Sequence, residues 1–291
     1  MAITTTPPEP TAGDTAREAR VVAVPRERRT VADLPAWAGG LIGAVLIVLV
    51  WWLAAETLYT DSHAIPTPWA VAKHVSSGDD WSALRSNFTP TIEAALWGYL
   101  WGDLLALGAA VIVLLLPPLE EAINQLAIVT YCLPPVAIAP IVVVIAGQDN
   151  SQAAPIVVAS LAPFFTTVVG SLVGLRAAPQ TSLDLVTAYG GSKLTQLRKV
   201  RVISALPNVF AALKIAAPAA FLGAVLAEFL GGGGDNSVGQ ALIAAQSNND
   251  AALLWFLALA SGVVAGFGYL LIGLVARLVT PWTTTRPGGR P

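Results

Sequence analysis

Residues 176–206 read RAAPQTSLDLVTAYGGSKLTQLRKVRVISAL, a polar interval of 31 residues set between two long apolar runs. From Ser182 to Ser204 apolar residues recur at helical spacing: Leu185 and Tyr189, then Leu194, Leu197 and Val200. Gly190-Gly191-Ser192 interrupts the run. Glycine is a common helix stop and serine a common helix start. The pattern predicts two short amphipathic helices meeting at an elbow and lying on the inner face of a membrane.

The flanking runs supply the membrane. Apolar residues make up 55% of the 291 residues and charged residues 12%, about half the charged share of a soluble domain. Mean hydropathy is +0.67. Six stretches are long enough for the ~20 residues a spanning helix needs: about 37–59, 90–115, 122–145, 153–175, 207–229 and 252–278. The reading is an all-α membrane protein of six transmembrane helices. Residues 1–36, rich in Pro, Thr, Ala and Arg without apolar period, read as a disordered tail. Residues 37–280 form the membrane domain, and 281–291 a second tail.

Prolines interrupt the third and fourth spans (Pro134, Pro135, Pro140; Pro155, Pro163). Neighbouring helices can satisfy the carbonyls such prolines free. GxxxG spacings at Gly98/Gly102, Gly170/Gly174 and Gly262/Gly266 either admit a close helix neighbour or reflect the abundance of small residues.

With the N-terminus inside, thirteen Lys and Arg fall on inner segments and two, Lys73 and Arg85, on outer ones; Lys214 lies within a span. That bias places both termini in the cytoplasm. The elbow charges Lys193, Arg198, Lys199 and Arg201 either form a basic docking face or simply follow the same bias.

The elbow also carries a family resemblance. Asp184-Leu185-Val186, three residues, Gly190, nine residues, then Val200-x-Val202-Ile203 and Ala205-Leu206-Pro207 resemble the "EAA" loop of bacterial ABC importer permeases. The continuations SALPNVFAALKIA and GAVLAEFLGG, and Ile65-Pro66-Thr67-Pro68 after the first span, are similar to the nitrate/sulfonate/taurine-type branch. Asp184 stands for Glu, Leu185 and Val186 for the two Ala, and Ile203 for a Pro. The resemblance covers roughly residues 40–280 and implies the type I importer permease fold. It implies that residues 182–206, with Asp184, Leu185, Val186, Gly190, Gly191, Ser192, Val200 and Pro207, couple to a cytoplasmic ABC ATPase dimer. It further implies a second permease subunit, expected to be an identical copy, and an extracytoplasmic solute-binding protein. The expected solute is small and polar or anionic.

No cofactor is expected on this chain. A Walker A loop needs GxxxxGK[ST]. Gly190-Gly191-Ser192-Lys193 has no hydroxyl residue after its Lys, and Gly231–Gly234 is followed by Asp235 and no Lys. ATP is therefore used by the partner. The lone Cys132 excludes an intrachain disulfide and a cysteine metal cluster. His63 and His74, eleven residues apart, are not a usual metal pair. A net charge of −2 gives no attraction to nucleic acid. The tryptophans, Trp37, Trp51, Trp52, Trp81, Trp255 and Trp282 among them, cluster near span ends as an aromatic belt does.

Four residues are candidates for the translocation path. Asp103 lies mid-span, where a carboxylate is expensive unless paired, hydrated or facing a cavity; it faces either the solute path or a polar helix contact. Glu228 closes the fifth span in AEFLGG. The resemblance places it near the outer gate or receptor contact, and an interfacial carboxylate at a helix end is the simpler alternative. Tyr131 and Pro134, with Pro135, either shape the path through a local break or form a packing kink. Two other classes compete. An intramembrane protease needs a Ser with a His base, or two Asp, and within the spans only Asp103 qualifies. An ion-driven transporter often shows two similar halves, and no internal repeat is evident.

Overall fold

A backbone inside a bilayer must satisfy its own N–H and C=O groups, which leaves helices or closed barrels. All regular secondary structure among the described residues is helical. The computed structural model describes residues 36–57, 65–76, 78–147 and 150–284. Most of the expected N-terminal tail and the end of the C-terminal one (1–35 and 285–291), together with His63, lie outside the described residues.

The chain divides between Val50 and Trp51 into two units. The described part of the first is 36–50, the opening of helix α1 (Ala36–Thr57). It carries no charge, and Leu41, Leu46, Ile47 and Val50 are exposed, as a lipid-facing surface permits.

The second unit continues α1 from Trp51 and adds α2 (Pro68–Ser76) and α3 (Gly78–Leu115). A 3-10 turn (Pro117–Leu119) leads into α4 (Glu120–Cys132), then α5 (Pro135–Ala146) and α6 (Ala153–Arg176). After α7 (Gln180–Ala188) come α8 (Lys193–Gln196), a π-helical turn (Leu197–Arg201) and α9 (Val202–Phe229). The described residues end with α10 (Val238–Ser247), α11 (Ala251–Val279) and a 3-10 turn.

Five helical stretches are long and apolar enough to span: Trp37–Thr57, Trp81–Leu115, Ala153–Arg176, Lys193–Phe229 and Ala251–Val279. The bent pair α4–α5 is the sixth if counted as one span.

Three boundaries differ from the sequence expectation. The third span, expected as one helix over 122–145, is two helices at 93°. The interval 60–89, expected as an outer loop, holds α2 and the start of α3. At 1.5 Å per residue the 38 residues of α3 extend about 57 Å, far beyond a ~30 Å hydrocarbon core, so part of it projects past the core. Pro90 does not stop α3; the Thr89 hydroxyl just before it donates to the carbonyl of Arg85. The fifth span, expected from 207, is helical from Lys193, with Pro207 inside α9 and the π-helical turn preceding it.

At the centre, α6 packs against α3 on one side and α9 on the other. Small residues allow this closeness. A Cβ on Gly98 would strike Ala159, and one on Gly102 the Ser160 carbonyl. On the other side, Cβ atoms on Gly170 and Gly174 would meet Ala212 and the Ala205 carbonyl. Two of the three GxxxG pairs thus sit at helix contacts, as membrane packing favours. Gly262 and Gly266 face open space. Three apolar clusters fill the rest, one around Phe88, Phe221 and Leu257, one around Ala106, Val168 and Leu197, and a smaller one of Ala139, Val158 and Ala227.

Candidate functional site: the elbow and the broken helix

Local chemistry builds the elbow. Helix α7 follows Pro179, with Gln180 Nε2 donating to Asp184 Oδ1 across one turn (2.9 Å). It stops in a Schellman motif. Gly190 adopts φ +75°, its N–H bonds to Thr187 O (2.9 Å), and the Gly191 N–H reaches back to Val186 O (2.8 Å). Ser192 then caps α8, its Oγ accepting from the Thr195 N–H (3.3 Å).

A cross-brace sets the angle between the two arms. Gln196 Nε2 donates to Leu183 O (3.2 Å) and to Thr187 Oγ1 (2.8 Å). Leu183 and Leu197 are buried beneath the elbow, and Arg201 Nη1 donates to Leu175 O at the end of α6 (3.3 Å).

Asp184, Leu185, Val186, Gly190, Gly191, Ser192 and Val200 therefore share one braced elbow, whereas Pro207 lies inside α9. The second arm is the opening of the long helix rather than a separate short one. Leu185, Tyr189 and Leu194 are 58%, 85% and 53% exposed, an unusual density of large apolar groups on a polar segment. Lys193, Arg198 and Lys199 are exposed, whereas Arg201 is half-buried. Leu183 and Gln196 were not singled out in the sequence, since no local motif announces a contact across thirteen residues.

The broken helix follows from Pro134-Pro135. A residue before proline is driven out of the α region, and here Leu133 (ψ 122°) and Pro134 (ψ 122°) are both extended. Pro135 then opens α5 at the first helical position, which suits its missing N–H. Tyr131, 66% exposed, tilts against Phe165 of α6 with ring centroids 4.9 Å apart. A cavity of about 250 Å³ opens beside the break, walled by Tyr131, Leu133, Pro135, Val158, Ala219 and Gly223, and no charged side chain lines it.

The two candidate acids lie elsewhere. Asp103 is buried, and its Oδ1 accepts from Thr167 Oγ1 (2.6 Å), tying α3 to α6. Glu228 is fully buried. Its Oε2 accepts from Thr91 Oγ1 (2.9 Å) and from the Gly239 N–H (3.1 Å) in the first turn of α10, where the helix dipole favours a carboxylate. Thr91 Oγ1 in turn accepts from the Val238 N–H (3.1 Å), and Gln240 Nε2 donates to Glu228 O (3.1 Å). Neither acid lines the cavity by the break. The lysine inside the fifth span, Lys214, sits 4.5 Å from the Tyr269 ring centroid in a cation–π contact. Among the described residues no His, Cys, Asp and Glu cluster could hold a metal.

The helices thus pack around a tight α3–α6–α9 centre, with a braced elbow before the fifth span. Residues 102–285 match the family described as the binding-protein-dependent transport system inner membrane component, and the chain belongs to that family. It is similar to the riboflavin transport system permease protein of Chloroflexus aurantiacus, 28% identical over 250 residues, covering 84% of this chain and 90% of that one. A probable ABC transporter permease of Haemophilus influenzae is 30% identical over 192 residues, covering 66% and 76%. In fold it resembles an inward-facing structure of the MetNI methionine ABC transporter (TM-score 0.55, 17% identity, covering 74% of this chain and 98% of that one).

The chain is thus a permease subunit of an ABC importer, a multi-pass protein of the bacterial plasma membrane. It is not an enzyme, and the ATP is used by a partner ATPase. A solute-binding protein completes the system.

Proposed function

We propose that the elbow, residues 180–201, is the surface through which the ATPase drives this permease. The carrying observation is the exposed trio Leu185, Tyr189 and Leu194 on a segment whose backbone is braced at both ends. Large apolar groups on a polar segment mark an interaction site, and a braced elbow transmits displacement instead of absorbing it. Asp184, Val186, Gly190, Gly191, Ser192 and Val200 set its shape, and Pro207 lies further along the helix it moves.

In this reading both termini and the elbow face the cytoplasm, residues 37–280 form the membrane domain, and two copies of the chain enclose the path. The break at Pro134, with Tyr131 and the cavity beside it, forms part of the path wall. Asp103 and Glu228 act as internal ties that hold the wall in register. The solute is a small polar or anionic organic molecule. The relative named for riboflavin falls in that class. The cavity by the break has a neutral lining, which leaves recognition of charge to the solute-binding protein.

The test is co-purification from gently solubilised membranes. Wild type should retain the ATPase; Leu185→Asp and Gly190→Pro, checked for intact folding, should lose it. If both folded variants retain it fully, the elbow is not the docking surface. Two differently tagged copies expressed together should co-purify; failure to do so overturns the homodimer.

A further inference from the structure

A second cavity, of about 360 Å³, opens where α3 and α6 end and α8 begins. That volume lies within the range of small-ligand pockets, about 300–1,000 Å³. Its lining is mixed. Leu114, Leu172 and Leu175 supply apolar groups, and Arg176, Lys193 and Arg201 supply cations, with Glu120 as the single carboxylate. Arg176 pairs with Glu120 (2.5 Å), which joins the last turn of α6 to the first turn of α4 with both charges matched to the helix dipoles. Among the described residues no carboxylate pairs with Lys193 or Arg201. Arg201 commits one N–H to Leu175 O, and a guanidinium has five.

Two cations in excess share one cleft, at the level where two spanning helices end. Like charges held together repel unless an anion sits between them. An anion with apolar matter attached would use both kinds of lining group, and basic pockets between membrane helices at the interface hold anionic head groups in this way.

We propose that this cleft binds a phosphate group, supplied by the head group of an anionic membrane phospholipid, with Lys193 and Arg201 as its ligands and the leucines against the glycerol and upper acyl chain. Free phosphate offers the same anion without the apolar part. An occupant would bridge the opening of α8 to the end of α6, stiffening the elbow. The effect on coupling rests on the elbow reading above; the binding does not.

The test uses the assembled transporter, permease with its ATPase, delipidated in detergent. Native mass spectrometry reads retention of added phosphatidylglycerol against phosphatidylcholine, and equilibrium dialysis reads inorganic phosphate. Wild type should retain phosphatidylglycerol selectively, with the double variant Lys193→Gln/Arg201→Gln reduced about thirtyfold and Glu120→Gln, which removes the carboxylate, retaining at least as much as wild type. If inorganic phosphate binds equally well and displaces the lipid, the phosphate site stands and its source is soluble. Equal lipid and phosphate retention by wild type and double variant overturns the proposal; Glu120→Gln guards against a folding loss common to every change in the cleft. ATPase activity in vesicles with and without phosphatidylglycerol is a separate readout. Its failure to respond while retention persists would count against the elbow reading and leave the site intact.

Discussion

Thr91 does three jobs with one hydroxyl: it donates to Glu228, accepts from the Val238 N–H and holds α3 against the junction of α9 and α10. Hydrogen bonds between membrane helices average only ~0.6 kcal/mol. Removing this hydroxyl also strands a buried N–H, a penalty of about 1–3 kcal/mol, so the larger figure governs. Thr91→Val should lower thermal stability in detergent by that amount, and Thr91→Ser should restore most of it. Equal melting of all three proteins would mean the tie carries no stability. Gly190 is the second such residue. At φ +75° a β-carbon costs about 1–2 kcal/mol. Gly190→Ala should therefore fray the elbow and speed amide exchange in α7 while leaving α9 unchanged; uniform exchange across both would count against a local role.

Among the elements, α6 has close neighbours on two sides, α3 and α9. Gly102→Ala places a methyl against the Ser160 carbonyl, and overpacking of this kind costs about 1–3 kcal/mol. Gly262→Ala meets nothing within 4 Å and should be neutral or slightly stabilising, since alanine favours helix. Thermal melts of the two variants side by side check this; equal effects would mean the α3–α6 contact is looser than drawn. The elbow was legible as an element, and the prolines marked the place where the third span breaks, because these causes are local. Gly190-Gly191-Ser192 stops one helix and caps the next, and Pro134-Pro135 expels two consecutive residues from the α region. The 93° bend was not legible, because prolines state where a helix stops and not how its successor packs.

For the whole molecule, the charge bias predicts which side each loop faces. In a chain with Cys132→Ser, which removes the sole cysteine, a cysteine at Lys193 should react with a membrane-impermeant maleimide only in inverted vesicles. One at Asp235, exposed in the segment between α9 and α10, should react only from the opposite side. The reverse pattern would invert the topology and with it the elbow's access to the ATPase. Purified alone, the permease should hydrolyse no ATP, and activity should return with the partner.

The apolar runs, the Lys and Arg asymmetry and the GGS elbow were written in the sequence, because burial in lipid, membrane orientation and helix capping each act over a few to some twenty neighbouring residues. The tertiary structure alone decided which partners the two buried acids meet. Asp103 meets Thr167 across 64 positions and Glu228 meets Thr91 across 137, and no local pattern encodes a partner so remote. It also decided which glycine pairs pack, since Gly98/Gly102 and Gly262/Gly266 carry the same spacing and differ only in whether a helix lies beside them.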